Sequence, residues 1–374
     1  MAGIYLHIPF CKQACYYCDF HFSTNLSQKS RMINCIANET DIMHDYINEP
    51  VQTIYFGGGT PSLLTEAELG ILLEHVFQQY AVVEYPEITL EANPDDIDAT
   101  KLAIWKKAGI NRLSVGVQTF NPELLNYLNR AHNAEQAKQA IHLAKAFGFD
   151  NLNLDLIFAL PHQTQDILKN DLNTLLYFEP AHIATYNLTI ESNTVFGNWY
   201  RKGKLQQVND DTAAKHYQLI IDELTRGGYE HYEISNFALP GKYSTHNTNY
   251  WQHINYLGLG PGAHSYNGKQ RHFNISNNAL YMKGVETGNL NQSFEELTRL
   301  DLINEFILTG LRSQWGCNLK LLSEKLDFDL AYIEKKTLLK YIENGYLELN
   351  NKILRLTPKG KFIADEITGE LFQV

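Results

Sequence analysis

Residues 5–22 read YLHIPFCKQACYYCDFHF, and this stretch carries the most specific pattern in the chain. Three cysteines, Cys11, Cys15 and Cys18, follow a short apolar run with the spacing C-x₃-C-x₂-C. Thiolates this close in sequence converge on one metal centre only from a tight loop. A structural zinc site usually takes two separated ligand pairs, and the sequence offers no second Cys/His pair at zinc spacing. The pattern therefore favours an iron–sulfur cubane with one iron left open for a small ligand.

The chain has five cysteines, and Cys35 and Cys317 stand alone. Isolated cysteines are usually packed thiols, so we expect neither to bind the metal. The alternative for the clustered three is that they are free or disulfide-bonded. We disfavour it because a protein of the reducing cytoplasm seldom clusters thiols except to bind metal or to do redox work. Together these features predict a cytoplasmic location.

The composition limits the classes of function. A chain of 374 residues with 44% hydrophobic content suits one large and one small domain. A net charge of −11 argues against general binding of nucleic acid or anionic membranes. No apolar run is long enough to span a membrane. The amino terminus enters a strand without a basic-then-apolar leader, so we expect no secretory signal.

Short apolar runs alternate with helical patterns through the first half of the chain. The candidate strands are Ile4–Ile8, Thr53–Phe56, Ile88–Ala92, Arg112–Val117, Leu152–Ile157 and His182–Leu188. The candidate helices are Ser27–Ile47, Glu66–Tyr80, Ala99–Ala108, Pro122–Leu128, Ala134–Phe147 and Gln165–Phe178. Repeated βα units predict an α/β fold with a parallel sheet and right-handed crossovers. Six such units predict an open, three-quarter barrel.

Ligands of such folds bind at the carboxyl ends of the strands. A polar or glycine-rich segment follows every candidate strand, and Gly57–Pro61 is the clearest of them. Consecutive glycines let a backbone approach a ligand and point N–H groups at it, although a plain tight turn would also use them. Glu91, Gln118, Arg130 and Asp155 could hold a ligand by charge-assisted bonds, but lone charges are more often surface ion pairs or helix caps. The residues alone leave both alternatives open.

These motifs resemble those of radical S-adenosylmethionine (SAM) proteins, and more narrowly the oxygen-independent coproporphyrinogen III oxidase-like family with its heme chaperone branch. The matching motifs are YxHIPFCxxxCxYCDF, ExNP, SxGVQxF, RxH and DLIxxLP, which stand at Tyr5–Phe20, Glu91–Pro94, Ser114–Phe120, Arg130–His132 and Asp155–Pro161. The resemblance implies a radical SAM partial (β/α)₆ TIM-like barrel. It also implies that Cys11, Cys15 and Cys18 hold a [4Fe-4S] cluster, whose fourth iron SAM chelates.

The resemblance further implies which residues contact SAM. They are Tyr5, Tyr17, Gly58, Gly59, Thr60, Glu91, Gln118, Arg130, Asp155 and Thr189. One departure from the family pattern is Ala159, where the family often has glycine. We expect this change to alter the turn slightly without abolishing binding.

The βα rhythm stops after residue 195. We predict a helix over Asp210–Arg226 with Asp210 or Asp211 as its N-cap, and a strand over Tyr229–Phe237. Residues 245–251 then read THNTNYW and resemble the HNxxYW motif of the heme chaperone branch. Imidazole commonly ligates heme iron, so the resemblance implies heme contacts by the motif residues His246, Asn247, Tyr250 and Trp251. On chemistry alone, His246 is an ordinary hydrogen-bonding histidine, and both interpretations stay open.

The last part of the chain is predicted to be mainly helical. The candidate elements are helices over Leu300–Leu311, Leu319–Leu326 and Leu330–Asn344, a hairpin over Leu347–Leu356 and a final segment over Lys359–Ile367. They resemble a winged-helix-like module, and the acidic balance favours a lid or a partner-docking surface over DNA binding. We therefore predict three domains: a barrel with the cluster loop over 1–195, an α+β extension over 196–292 and a smaller helical domain over 293–374.

The resemblance implies two candidate functions. The first is a heme chaperone that binds heme and delivers it to respiratory or other heme proteins. It is favoured by HNxxYW, by a barrel that begins at residue 4, and by Phe20, where the oxidase motif continues to a further cysteine. The second is oxidative decarboxylation of coproporphyrinogen III, in which SAM is cleaved to methionine and a radical that takes hydrogen from a propionate. A purely structural cluster is disfavoured because it has no reason to leave one iron open.

The two functions share most of their expected partners. These are heme or a porphyrinogen, heme-accepting proteins and an electron donor for the cluster, with no nucleic acid and no transmembrane segment. A homodimer is compatible with the sequence. Whether the chain is an enzyme stays open at this point.

Overall fold

The centre of the molecule is a curved parallel sheet in which each strand leads into a helix, as a computed structural model of residues 1–373 shows. The strands are β1 (Ala2–Ile8), β2 (Val51–Gly58), β3 (Val82–Ala92), β4 (Arg112–Gln118), β5 (Asn151–Phe158) and β6 (His182–Asn187). The helices are α1 (Lys29–Ile42), α2 (Glu66–Gln79), α3 (Ala99–Lys107), α4 (Pro122–Tyr127), α5 (Ala134–Ala146) and α6 (Gln165–Phe178). The predicted α/β barrel is confirmed, and α1 ends five residues earlier than predicted.

Apolar and polar residues alternate along the strands, so that apolar side chains face the surrounding helices and polar side chains face the inside of the barrel. Ile4, Leu6 and Ile8 of β1 are fully buried in the hydrophobic core that the helices share. The intervening Tyr5 and His7 lie inside the barrel, where the Tyr5 ring stacks on Tyr55 of β2. Parallel strands of α/β folds bury both faces, and here the inner face carries the groups available for chemistry.

The segment over 196–292 continues the same sheet at both of its edges. Its elements are α7 (Val195–Arg201), α8 (Asp210–Arg226), β7 (Glu230–Glu233), β8 (Asn236–Ala238), α9 (Thr245–Trp251), β9 (Asn255–Leu259), β10 (His264–Tyr266), β11 (Gln270–Asn274), α10 (Asn278–Glu286) and β12 (Gln292–Glu296). The strand order is β12-β11-β10-β9-β1-β2-β3-β4-β5-β6-β8-β7. Strand β9 pairs in parallel with β1, and β8 pairs antiparallel with β6. The segment thus extends the barrel and shares its core.

Two local predictions in this segment were wrong. The N-cap of α8 is Asn209, whose Oδ1 accepts from the Thr212 amide at 2.8 Å. An amide oxygen here satisfies an otherwise unpaired donor of the first turn. The strand predicted over Tyr229–Phe237 is two strands, because the Glu233 carboxylate accepts from the Ser235 amide and closes a turn between them. The sequence analysis did not predict β9 to β12.

The final part of the chain has a hydrophobic core of its own. Its elements are α11 (Arg299–Arg312), β13 (Cys317–Asn318), α12 (Leu319–Leu326), α13 (Leu330–Ile333), α14 (Lys335–Glu343), β14 (Leu347–Asn350), β15 (Ile353–Leu356) and α15 (Ala364–Leu371). The predicted hairpin is present, and its β15 also pairs with β13. The helix predicted over 330–344 is broken at Glu334, and a 3₁₀ turn over Gly360–Ile363 precedes α15. Residue 374 of the predicted domain lies outside the described residues.

Cys35 and Cys317 are free and buried, as predicted for packed thiols. Within residues 1–373, the structure contains no helix long and apolar enough to cross a membrane.

Candidate functional site

The cysteine loop lies at the carboxyl ends of the strands, which we call the mouth of the barrel. Its two ends are tied together, because the Cys11 amide donates to the Ser23 carbonyl and the Ser23 amide donates to the Pro9 carbonyl. Asn129, which has a left-handed φ of 56°, donates from its side chain to the Ala14 carbonyl at 2.8 Å. The Tyr16 amide donates to the Leu128 carbonyl. The loop between α4 and α5 therefore holds the middle of the cysteine loop.

A cavity of about 580 Å³ opens at the mouth, within the size range of ligand pockets. The predicted site residues in its wall are Cys11, Cys15, Tyr17, Cys18, Gly58, Gly59, Thr60, Glu91, Gln118, Arg130, Asp155 and Thr189. They come from the carboxyl ends or following loops of all six parallel strands. The structure thus brings most of the predicted SAM and cluster residues to one place.

The glycine segment after β2 passes very close to its neighbours. Gly58 has a φ of 102°, and a Cβ there would lie 2.5 Å from the ring of His7. A Cβ at Gly59 would lie 2.7 Å from the carbonyl oxygens of Ile8 and Phe10. Both positions therefore require glycine for steric reasons within the protein. This finding explains the glycines without deciding whether they also approach a ligand.

Two carboxyl groups in the cavity wall are perturbed in the same direction. Burial raises the pKa of Glu91 to about 7, opposed by a hydrogen bond of 2.8 Å from the Tyr55 hydroxyl. Burial likewise raises the pKa of Asp155 to about 6, opposed by a bond of 2.6 Å from the Asn153 amide. A ligand with positive charge would stabilise the ionised form of both groups. The wall is therefore suited to a cationic ligand.

Arg130 lies between the cavity wall and the cysteine loop. One guanidinium nitrogen, Nη2, donates to Asn93 Oδ1 and to the Gly116 carbonyl, both at 2.7 Å. The other, Nη1, donates to Cys15 Sγ at 3.4 Å and to the Tyr17 hydroxyl at 3.3 Å. The guanidinium is therefore fixed on two sides, next to one of the predicted cluster ligands.

The cysteines have the chemistry that a [4Fe-4S] cluster requires. All three are free thiols that border the cavity. Burial raises the pKa of Cys11 and of Cys18 to about 11, so these thiols need a bound cation to ionise at neutral pH. Among residues 1–373, no group of three or more His, Cys, Asp or Glu side chains is arranged to hold a single ion. Three free thiols on one loop beside the cavity are the type of donor that a [4Fe-4S] cluster takes, so the residues fit that group.

Tyr5 is the predicted SAM residue that does not reach the cavity wall. Its hydroxyl lies 3.2 Å from His7 Nδ1, and its ring stacks on Tyr55. Gly57 leaves room for this layer, because a Cβ there would lie 2.8 Å from the Tyr5 ring and 3.1 Å from the Glu91 carboxylate. Tyr5 therefore lies directly beneath the wall and contacts it through its neighbours.

The HNxxYW residues lie at the opposite end of the barrel, which we call the floor. His246 of α9 is only 2% exposed and packs against Gly3 near the start of β1. Its Nδ1 is 2.8 Å from the Thr53 hydroxyl, and its Nε2 is 2.9 Å from the Tyr250 hydroxyl. Burial lowers the pKa of His246 to about 3, which keeps the ring neutral. In the folded structure neither ring nitrogen of His246 is free to ligate a heme iron, which counts against the axial-ligand interpretation.

The other motif residues have partners within the protein as well. The backbone N–H of Asn247 donates to the hydroxyl of Ser244, which caps α9. The Tyr250 ring packs edge-on against Tyr256, with centroids 4.6 Å apart. Arg312 of α11 lies over the Trp251 ring, 5.3 Å from its centroid. The motif thus joins the barrel floor to the carboxy-terminal domain.

Two residues that organise the mouth were not predicted from the sequence. Asn93 joins Arg130 to the cysteine loop, and it belongs to the ExNP motif, which was a usable signal. Asn129 anchors the loop by its side chain, and no motif pointed to it. An asparagine tolerates left-handed backbone and supplies an amide donor, so only its three-dimensional setting shows its role.

Comparison with solved structures supports the fold. Coproporphyrinogen III oxidase (HemN) from Escherichia coli, described as a radical SAM enzyme, superimposes with a TM-score of 0.86 at 23% sequence identity. The match covers 100% of this chain and 90% of the oxidase chain. At this level of identity the match establishes the fold, including the partial barrel and the smaller carboxy-terminal domain.

Comparison with known sequences identifies the family. The radical SAM superfamily pattern matches residues 5–175, and the HemN C-terminal domain pattern matches residues 297–363. The heme chaperone HemW of Bacillus subtilis is 35% identical, over 99% of this chain and 98% of its own length. HemW of Lactococcus lactis is 34% identical over 97% of each chain, and HemW of Escherichia coli is 39% identical over 70% of this chain and 69% of its own. The chain belongs to the radical SAM superfamily and, within it, to the HemW family.

Proposed function

We propose that this chain is a heme chaperone, which binds heme and delivers it to respiratory or other heme proteins. The observation that carries the proposal is the full-length match to relatives named heme chaperone HemW. It spans the cysteine loop, the HNxxYW segment and the carboxy-terminal domain together. A match confined to the barrel would support only the wider superfamily. We place the protein in the cytoplasm, where its clustered thiols stay reduced.

Membership of the radical SAM superfamily implies a [4Fe-4S] cluster and SAM. We propose that Cys11, Cys15 and Cys18 hold the cluster. When bound, the cluster supplies an electron and a coordination position for SAM. The predicted SAM residues in the cavity wall then divide by chemistry, with glycine amides for the methionine end, Gln118 and Asp155 for the ribose, and Glu91 for positive charge. Tyr5 supports this wall from beneath.

The heme ligand is a separate question from the function. A porphyrin can reach His246 only if α9 leaves the floor, because the side chain is buried and both of its nitrogens have partners. Moving α9 would also break the packing of Tyr250 and Trp251 described above. We therefore propose that heme binds the folded protein through a ligand other than His246.

The test is a heme titration of the anaerobically reconstituted full chain, with and without SAM. We expect a shifted Soret band that saturates near one heme per chain, followed by transfer when an apo heme protein is added. His246→Ala is expected to keep the same stoichiometry and Soret position. Failure of the wild-type chain to bind or transfer heme would contradict the chaperone proposal.

The heme titration of His246→Ala tests whether His246 ligates heme, and its result does not depend on whether the chain transfers heme. Loss of the Soret shift in this variant, with cluster content and circular dichroism unchanged, would show that α9 opens and His246 ligates. His44→Ala is a suitable control, because His44 is an exposed histidine with a side chain 52% accessible. A change in both variants would indicate nonspecific heme binding by surface imidazoles.

A second function is kept because of one observation, the cavity at the mouth, whose wall includes polar side chains from all six parallel strands. These groups are the ones proposed above to hold SAM, which the alternative reaction would consume. The alternative is the oxidative decarboxylation of coproporphyrinogen III. An anaerobic assay with SAM and a reductant tests it directly, and formation of protoporphyrinogen would favour the enzyme over the chaperone.

Partners follow from the proposed chemistry. We propose that a reduced electron carrier meets the mouth, since the cysteine loop is half-exposed there, and that heme-accepting proteins dock on the carboxy-terminal domain. We also keep the boundaries at residues 195 and 292 as a proposal, with 196–292 as an extension that continues the sheet of the barrel. Size-exclusion chromatography of the loaded protein would distinguish a monomer from a homodimer.

A further inference from the structure

We propose that Arg130, Asn93 and Thr60 form a hydrogen-bond relay that ends on the sulfurs of Cys11 and Cys15 and sets the reduction potential of the cluster. The inference depends on the cluster held by the cysteine loop and not on heme binding. It assigns Asn93, which lies outside the predicted SAM set, a positioning role. It also gives Arg130 and Thr60 a second role beside ligand contact.

Arg130 is the fixed starting point of the relay. Its Nη2 donates to Asn93 Oδ1 and the Gly116 carbonyl, both at 2.7 Å, and its Nη1 reaches Cys15 Sγ at 3.4 Å. A guanidinium carries five N–H donors and no acceptor. The direction of each of these bonds is therefore certain, and Cys15 receives a charge-assisted hydrogen bond.

The direction of the remaining bonds follows from the chemistry of the groups. Because Arg130 can only donate, the Asn93 atom facing it must be the carbonyl oxygen, which orients the whole amide. The Asn93 amide nitrogen then faces Thr60 and donates to its hydroxyl at 3.4 Å. Having accepted this bond, the Thr60 hydroxyl directs its own proton to Cys11 Sγ at 3.2 Å. Through Asn93, Arg130 thus orients the Thr60 hydroxyl that donates to a second sulfur.

The relay leaves out the third sulfur. Its donors reach Cys15 Sγ from Arg130 and Cys11 Sγ from Thr60. Substitutions in the relay therefore address only two of the three predicted cluster ligands.

Hydrogen bonds to the sulfurs are among the main determinants of iron–sulfur potentials. A donor stabilises negative charge on sulfur, and the reduced cluster carries one more negative charge than the oxidised cluster. Each donor therefore stabilises the reduced state more strongly. We expect the relay to raise the potential, which makes the cluster easier to reduce by its electron donor.

The test measures the midpoint potential of the reconstituted full chain without SAM or heme, by titration followed by electron paramagnetic resonance. Thr60→Val keeps the shape of the side chain and removes the hydroxyl, and Asn93→Leu removes the bridging amide. We expect both potentials to shift to more negative values, and we expect Thr60→Ser to restore the wild-type value. Asn187→Leu is the control, since Asn187 borders the same cavity without contacting a cysteine.

The double variant sharpens the test, because Asn93 acts on Cys11 through Thr60. The combined shift should be smaller than the sum of the single shifts. Iron and sulfide contents equal to wild type ensure that loaded clusters are compared, and Thr60→Val alone suffices if Asn93→Leu fails to load. Unchanged potentials in loaded Thr60→Val and Asn93→Leu would overturn the relay. Loss of heme transfer would leave this result untouched, so the two proposals fail independently.

Discussion

The two ends of the barrel use similar residues for opposite purposes. At the floor, His246 and its neighbours Thr53 and Tyr250 satisfy one another by hydrogen bonds and exclude solvent. At the mouth, the polar groups border an open cavity, and the carboxyl groups of Glu91 and Asp155 have raised pKa values because of burial. The floor is complete within the protein, whereas the mouth is electrostatically unsatisfied. This difference shows that motif residues alone do not distinguish a binding site from a set of side chains that only packs together and closes one end of the barrel.

Substitutions at the mouth and at the floor of the barrel should differ most in the iron content of the reconstituted protein. Cys15→Ala removes one of three cluster ligands at the mouth, so we expect anaerobic reconstitution to give almost no iron or sulfide in the chain. His246→Ala at the floor should keep the wild-type content. Chemical analysis of iron and sulfide after desalting measures both.

Cys35→Ala is the matched control for this experiment. Cys35 is a lone thiol, 2% exposed, in α1. Its variant should load normally. A full iron content in Cys15→Ala, or a loss in Cys35→Ala, would show that the cluster is held elsewhere.

The next effect is on stability at the floor. His246→Ala leaves the buried Thr53 hydroxyl and the half-buried Tyr250 hydroxyl without their partner, and a buried unsatisfied group costs about 1–3 kcal/mol. We expect the free energy of unfolding of the cluster-free chain to fall by about 2–4 kcal/mol, allowing for relaxation. Denaturant unfolding measures the change. His44→Ala, at an exposed position, should change the free energy of unfolding by no more than about 0.5 kcal/mol. An equal effect of both variants would contradict a structural role of His246 at the floor.

At the mouth, we expect the affinity for SAM to change about tenfold with pH. Since the pKa of Glu91 is about 7 in the unliganded protein, the carboxyl is mostly protonated at pH 6 and mostly ionised at pH 8. An ionised carboxylate attracts the positive charge of SAM, so the affinity should rise about tenfold over this interval. Isothermal titration at several pH values measures it.

Glu91→Gln should flatten this dependence above pH 7. The remaining change, from Asp155 with a pKa of about 6, falls at lower pH. The same raised pKa of Glu91 makes the unliganded chain less stable as pH rises from about 4.5 through 7, because the folded state holds the proton more tightly than the unfolded state does. A pH profile unchanged by Glu91→Gln would remove Glu91 from the binding of SAM's charge.

The smallest effect concerns one hydrogen bond at the floor. Thr53→Val removes the hydroxyl that bonds to His246 Nδ1 and should lower the free energy of unfolding by about 1 kcal/mol. Thr53→Ser keeps the hydroxyl and should recover most of this loss. SAM affinity should be unaffected by either change. A weaker SAM affinity in Thr53→Val would instead show that the two ends are coupled through Tyr55.

Much of the mouth was predictable because it is built from contiguous motifs on regular elements. The parallel strands alternate apolar and polar residues, and each motif follows a strand end, so the topology brings them together. This is why Cys15, Glu91 and Asp155 could be placed at one rim from the sequence. For the glycines after β2 the sequence predicted a close approach to a ligand or a tight turn, and the structure shows close packing against His7, Ile8 and Phe10.

The floor and the sheet edges were not predictable for a different physical reason. HNxxYW carries residues that suit heme, and only the tertiary contacts show His246 facing Thr53 across more than half of the chain. Strands β9 to β12 are short, so the periodic signal in them is weak, and the pairing of β9 with β1 joins residues far apart in sequence. Asn129 was missed because a left-handed asparagine has no motif.

The pairing of β9 with β1 has a consequence for how the protein is made. Strand β1 leads directly into the cysteine loop, and one of its edges is covered only by residues 255–259. At synthesis rates of roughly 5–20 residues per second, that edge stays uncovered for on the order of 10–50 s after it leaves the ribosome. An unpaired strand edge can pair with other chains. The nascent chain therefore depends on prompt protection of its first strand, and iron loading should come late in its biogenesis.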